Sequence, residues 1–441
     1  MYRLIRRRIV TLSIVLVLLL PASACSRQSD LMVDEEHLSG KLRIAIDTGA
    51  SKGQVHPLDH SVTGPIYDRL IDFQAKHPDL DIEMIDISFL TSQASTIPQD
   101  PLPDIMEVVP YQIRWVANPN ELENLDTLIQ NLGLATPYEQ LIDKTRVNGS
   151  AWMLPISNEP VIVYYDEQVF GQLGIPLPDD NWTWDDFISA SRRLAEENYM
   201  TDIPDFPDGG FGVVEPIIQG LGGTYASNDG MHFSGYLDSE STVSAFNRYV
   251  SDIREQRSKR MSVIGKSSYF NFDQVALGMG RPSELYNLLN DNMNLRITRM
   301  PLFADGKRHN TTYISGLAIF SQSKNKAAAE ALLKELAGNG EDAVNFANYN
   351  ALGNRDHRFS DSPLVQQEEL MRVMDLETMV ATPSTFQLNP GFLGNYGILY
   401  LPPANITDAI KELFEPDSIE PVLQNLTHAV ESKFPDQRGK W

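Results

Sequence analysis

The 441-residue sequence has a single cysteine, Cys25. It can form no internal disulfide and no cysteine-based zinc or iron–sulfur centre. Cations are also short: 36 Lys and Arg stand against 59 Asp and Glu, a formal charge of −23. Phosphate neutralisation needs the opposite balance, so no nucleic-acid partner is expected. The apolar run Ile9–Leu20 has 12 residues, short of the ~20 that a helix needs to span a bilayer. No His-Glu-x-x-His, Gly-x-Ser-x-Gly or Walker pattern occurs. His56 and His60 have a metal-binding spacing, but Pro57 between them argues against the helix that would align them. No enzyme activity, metal or cofactor is therefore expected. Paired carboxylates are plentiful, yet in so acidic a chain they nominate no glycosidase.

What is present suits a folded exported protein. The chain is 42% hydrophobic and 22% charged, enough apolar content for two or three domains with real cores. It opens with Arg3, Arg6, Arg7 and Arg8, then the short apolar run, then Pro21-Ala22-Ser23-Ala24-Cys25. This is the layout of a secretory signal over residues 1–24. A cysteine directly after the small residues resembles a bacterial lipoprotein signal, in which Cys25 carries a diacylglycerol anchor. Ala22 departs from the usual leucine there, and a plain signal cut near Ala24 would leave a free thiol. Removing 1–24 takes away four cations and no acid, so the remainder is more acidic still. Residues 25–40 are polar and aperiodic and read as a flexible tether.

Beyond the tether, strands and helices alternate. Leu42–Ile46, Ile82–Ile87 and Pro103–Val109 read as strands, and Ile66, Leu70 and Phe73 as a helix face ended at Pro78. The pattern predicts an α/β fold with a largely parallel sheet. Thr183-Trp184-Asp185-Asp186 is a helix-capping pattern. Val243, Phe246, Val250 and Ile253 predict a second helix, and the Ala/Leu-rich stretch from Lys326 to Gly338 a third.

The segment Leu154-Pro155, then Val161–Asp166, Gly174-Ile175-Pro176 and Trp182-Thr183-Trp184-Asp185-Asp186-Phe187, resembles the extracellular solute-binding proteins of family 1. Phe211-Gly212, Gly222-Gly223, Leu237-Asp238-Ser239, Phe272–Gly280, Ser315–Ile319 and Ser323–Ala328 follow in that family's order. The likeness covers most of residues 41–350 and loosens after Asn350. It implies a two-lobed, type II periplasmic-binding-protein-like fold with hinge crossovers and a ligand cleft between the lobes. The first lobe would comprise 41–158 and 303–350, the second 159–302 and 351–441. It further implies a monomer, anchored on the extracytoplasmic face of the cell membrane. This monomer would capture a carbohydrate or other small polar solute by hinge closure and deliver it to the permease subunits of an ABC transporter. Presentation of a ligand to a sensory kinase would use the same hinge, and an exported glycan-active enzyme is the remaining alternative.

The resemblance also nominates ligand contacts. It lays Glu159 and Glu215 on sugar-contacting carboxylates, although both also suit a hinge or capping role. Val108, Tyr111 and Gln112 replace the Trp, Asp and Arg used by maltodextrin binders, and Pro282-Ser283-Glu284 replaces an aromatic platform. Tyr111, Trp115 and Tyr286 could compensate, and Tyr400 is the candidate aromatic just before a helix expected over 406–414. With two platforms missing, a maltodextrin is disfavoured. Trp182 and Trp184 belong to the helix start and are expected to pack. The anchor is directly testable: Cys25→Ser should move the protein from the membrane fraction to the soluble one, and retention at the membrane would exclude lipidation.

Overall fold

The computed structural model describes residues 37–46, 54–55, 65–86, 102–115, 121–132, 134, 136–203, 211–264, 275–337, 366–389 and 419–433. The chain divides into two units, Met1–His37 and Leu38–Trp441, and every element below lies in the second. Cys25, His56, His60, Tyr400 and the helix expected over 406–414 lie outside the described residues.

The first sheet grows from β1 (Gly40–Ile46), which pairs in parallel with β3 (Leu80–Asp86) and β4 (Ile105–Val108). A short β2 (Gln54–Val55) runs antiparallel to β3. Between them, α1 (Pro65–Lys76) turns Ile66, Leu70 and Phe73 into the same core as Leu42, Ile44 and Ile82. The helix stops just before His77-Pro78, as the proline requires. Three helices follow: α2 (Pro110–Trp115), α3 (Asp126–Leu132) and α4 (Thr136–Asp143).

The chain then leaves this sheet. Strand β5 (Leu154–Pro160) still pairs in the first sheet, so Glu159 and Pro160 stand on the first-sheet side of the boundary expected after residue 158, while β6 (Ile162–Asp166) is an inner strand of a second sheet. That sheet has the order β7-β8-β6-β9, with β7 at Met200–Asp202, β8 at Val275–Gly280 and β9 at Leu295–Thr298. Val161, Val163 and Tyr165 face one core and Ile162 and Tyr164 another. Burial on both faces explains the unbroken apolar run. Helices α5 (Glu167–Leu173), α6 (Trp184–Glu196), α7 (Phe211–Gly220), α8 (Glu240–Ile264) and α9 (Pro282–Asp291) complete this half.

The predicted cap on α6 is present: Asp186 N–H donates to Thr183 Oγ1 at 3.2 Å and Thr183 N–H donates to Asp186 Oδ2 at 2.9 Å. Trp184 packs as expected, stacked on Phe187 and Phe303, with Nε1 donating to Asp252 at 2.9 Å. Trp182 is buried beside the same Phe187.

The chain returns through β10 (Thr311–Ile319), which runs antiparallel to both β4 and β5 and is followed by α10 (Lys326–Ala337). Next, α11 (Gln367–Val380) covers the second sheet with Leu370, Val373 and Met374. Then β11 (Thr382–Pro383) pairs in parallel with β10, so this late segment joins the first sheet. A short α12 (Thr385–Leu388) follows, and α13 (Ile419–Lys433) packs on α8.

The α/β fold is as predicted, but the expectation of a largely parallel sheet is corrected: both sheets are mixed. The reason is the two-lobed path. A strand that re-enters from the other lobe starts at the end where the outgoing strand finished, so β10 must run opposite to β5.

Gly316 marks the tightest point of this return. It sits at a register shift between β5 and β10, and a Cβ there would lie 2.6 Å from the Leu154 carbonyl oxygen. Gly316→Ala should therefore lower stability by about 1–3 kcal/mol, read as a fall in the urea midpoint with an unchanged slope.

Candidate functional site at the lobe junction

Strand β8 is buried along its whole length, and the next residue, Arg281, is 1% exposed. Pro282 opens α9 and favours an extended backbone at Arg281. Its guanidinium reaches across to the first sheet. Nη1 donates to the carbonyls of Glu159 and Thr311, and Nη2 donates to the Gly212 carbonyl at 3.1 Å. The Cζ atom lies 3.5 Å from the centroid of the Tyr313 ring, a cation–π contact. Thr311 Oγ1 donates to the same Gly212 carbonyl at 3.1 Å. Gly212 has no room for a side chain, since a Cβ would lie 2.3 Å from the Tyr313 hydroxyl.

Glu159 and Tyr313 are register partners on β5 and β10. Glu159 is half-buried, and its carboxylate accepts a hydrogen bond from Ser283 Oγ on α9. Ser283 is exposed. One glutamate thus meets the second lobe twice, through its main chain at Arg281 and through its side chain at Ser283.

Glu215 on α7 makes a third link. It is 2% exposed, and Thr385 N–H donates to its two oxygens at 3.0 and 3.1 Å, with Thr385 Oγ1 at 2.5 Å. Burial pushes its pKa up to about 7, against the downward pull of the Thr385 hydrogen bonds and of the Arg281 charge. Glu215 therefore joins α7 to the segment that follows β11, as Glu159 joins β5 to α9.

Further buried polar groups hold the crossings. Asn158 accepts from Thr312 Oγ1 and donates to Thr378 Oγ1, each at 2.7 Å. Asn310 brackets Val161 with two hydrogen bonds and donates to Glu377 at 2.7 Å. Arg299 Nε donates to the other Glu377 oxygen at 2.7 Å, while burial raises the pKa of that carboxyl. Gln387 pairs with both main-chain groups of Ile314, as a strand would. Asn158, Asn310, Glu377 and Gln387 each find partners on a different chain segment, so the crossings are specified by hydrogen bonds as well as by packing.

The other expected contacts lie on α2, which packs against α12, and on α9, which packs against β5. Tyr111 is buried on α2, and burial pushes its pKa up to about 12. Gln112 is buried too, and its Oε1 accepts from Val109 N–H at 2.8 Å, closing its own helix start. Trp115, Glu284 and Tyr286 lie on α2 and α9, but their side chains fall outside the described residues. Sequence reasoning missed Arg281 and Tyr313. Two cavities of about 470 and 520 Å³ lie along α6, bordered by Trp184 and Phe303 and by Ile175 and Trp182, away from the junction.

Residues 57–343 match the model of the bacterial extracellular solute-binding protein family. No curated protein matches the chain by sequence. Among solved structures, the ABC substrate-binding protein Lmo0181 from Listeria monocytogenes in complex with cycloalternan is similar at 16% identity and TM-score 0.62. The match covers 90% of this chain and 99% of that one. The maltose-binding periplasmic protein MalE from Listeria monocytogenes in complex with maltose gives 15% and 0.61, covering 91% and 99%. UgpB from Mycobacterium tuberculosis in complex with glycerophosphocholine gives 14% and 0.62, covering 90% and 99%. At these identities the likeness is one of fold.

The raised pKa of Glu215 makes a prediction with a definite sign. The folded chain holds this proton more tightly than the unfolded chain, so ionisation costs stability as pH rises from about 4.5 to about 7. Glu215→Gln removes that loss. Relative to the variant, the parent should lose about 3 kcal/mol between pH 4.5 and pH 8, measured by urea unfolding across that range. A pH-independent difference would contradict the assignment.

Proposed function

Because the chain belongs to the bacterial extracellular solute-binding proteins, we propose that it captures a carbohydrate or similar small polyol between its two lobes and delivers it to an ABC permease. The observation that carries this reading is the junction itself. A half-buried carboxylate, Glu159, lies beside an exposed hydroxyl, Ser283, and each belongs to an element of a different lobe. A ligand hydroxyl that donates to Glu159 in place of Ser283, with a second ligand oxygen accepting from the freed Ser283 hydroxyl, would bond to both lobes at once. Binding then favours arrangements that keep both partners within reach of the ligand.

The aromatic content refines the class. One face of the Tyr313 ring is covered by Arg281, which favours hydrogen bonding over ring stacking as the main source of recognition there. That suits a small sugar or polyol better than a long maltodextrin. Trp115, Glu284 and Tyr286 join the proposed set through their places on α2 and α9, and Tyr400 through its expected place before a helix. Tyr111, Gln112 and Glu215 act from behind, as supports. A lipid on Cys25 would keep the loaded binder at the membrane surface, close to its permease.

A thermal-shift panel of saccharides, polyols and glycerophosphodiesters tests the reading. Ligand at a hundredfold excess over Kd should add about 2.7 kcal/mol of stability, seen as a higher Tm. Glu159→Gln and Ser283→Ala should each weaken the shift while leaving the ligand-free Tm near that of the parent. A flat response across the panel, checked by calorimetry, would remove the proposed function.

A further inference from the structure

We propose that Arg281 is a positioning residue that sets the resting angle between the lobes and, with it, the place of Glu159. The argument starts from where its acceptors lie. Arg281 directly follows β8 of the second sheet, and Gly212 belongs to α7, whose Val213, Val214, Ile217 and Ile218 fill the second-lobe core. Glu159 and Thr311, in contrast, lie on β5 and β10, which pair with each other in the first sheet. One rigid fork therefore holds elements of both lobes. Tyr313, on the same β10, closes the fork from below.

A planar guanidinium fits this role and an ammonium does not. Its donors diverge in one plane, so they reach carbonyls on three separate segments at once, and its flat face lies on the tyrosine ring. Burial supplies the stiffness. A cation taken out of water must keep its acceptors, so lobe angles that pull the carbonyls out of reach are penalised. The grip also sits near the pivot. The β5–β6 crossing follows Glu159 within three residues, and β10 begins at Thr311. A small displacement there becomes a large one at the far ends of the lobes. Thr311 Oγ1 and Arg281 share the Gly212 carbonyl, which ties the second-lobe helix α7 to the same point.

This holds for the ligand-free chain and is testable without knowing the ligand. Cys25 is the only cysteine, so Cys25→Ser with Lys334→Cys and Glu196→Cys gives a doubly labelled full chain. The two label sites are exposed and lie on α10 and α6, which pack in the first-lobe and second-lobe cores. Pulsed electron resonance then reads the interlobe distance distribution. Arg281→Lys keeps the charge and loses the fork. It should broaden the distribution and move its mean by more than ~2 Å, with circular dichroism unchanged. Tyr313→Leu removes only the ring and should move it in the same direction by less. Ser283→Ala leaves the fork intact and removes only the side-chain link to Glu159, so it should move the mean by less than Arg281→Lys does.

The proposal is overturned if folded Arg281→Lys and Tyr313→Leu both keep the parental distribution. It is equally overturned if Ser283→Ala shifts it as far as Arg281→Lys does, because the Glu159 side-chain contact would then be the determinant. Should Arg281→Lys fail to fold, Tyr313→Leu decides alone: a moved distribution supports the assignment and a parental one removes it. None of these outcomes depends on a saccharide panel, so failure here and failure of the binding function are distinguishable.

Discussion

A guanidinium removed from water is the constraint around which the junction is arranged. Arg281 is almost wholly buried, and a buried cation is tolerated only where acceptors surround it. The surroundings comply at the level of the main chain. Glu159, Thr311 and Gly212 present carbonyls, Tyr313 presents a ring face, and the Glu215 carboxyl lies near enough for the charge to pull its pKa down. Several residue choices then follow. Gly212 must lack a side chain because the Tyr313 hydroxyl occupies that space. Thr311 must carry a hydroxyl placed to share the Gly212 carbonyl.

Main-chain acceptors have a further consequence. A carbonyl in a paired strand cannot turn away without breaking its ladder, so the Arg281 contacts report on the position of whole strands. Side-chain hydrogen bonds at Asn158, Asn310 and Glu377 add to these, each joining a crossing to a neighbouring segment. The lobe junction is therefore a polar layer between apolar cores. Polar layers of this kind demand particular partners, whereas the apolar cores on either side are held by close packing. That is a sensible division for the proposed hinge: close-packed cores make each lobe rigid, and a few directional bonds set the angle between them.

Much of the lobe architecture was legible in the residues. The alternation of Leu42 to Ile46, the helical spacing of Ile66, Leu70 and Phe73, and the Thr183–Asp186 cap each carry their structure locally, and each forms as read. The mixed sheets were not legible, because strand direction depends on the path between lobes and not on any local pattern. Arg281 was hidden for a similar reason. A charge after an apolar strand reads as a solvated end, and only the tertiary fold reveals carbonyls gathered around it. The carboxylates were half legible. Glu159 and Glu215 stand out in the sequence, and a hinge role was open for both. What the residues alone do not convey is that Glu159 is reachable from solvent while Glu215 is spent on Thr385.

That difference between the two glutamates matters for how a proposed ligand could drive closure. A ligand shifts a conformational equilibrium only by its difference in affinity between the two states. Glu215 cannot supply such a difference directly, since its oxygens are turned inward onto Thr385. Glu159 can. Its carbonyl is fixed by Arg281 and its carboxylate is shared with Ser283, so exchanging Ser283 for a ligand hydroxyl changes a bond between lobes without disturbing the fork. In the proposed mechanism the two ends of one residue then divide the work. The main chain holds the resting angle, and the side chain exchanges partners when the ligand arrives.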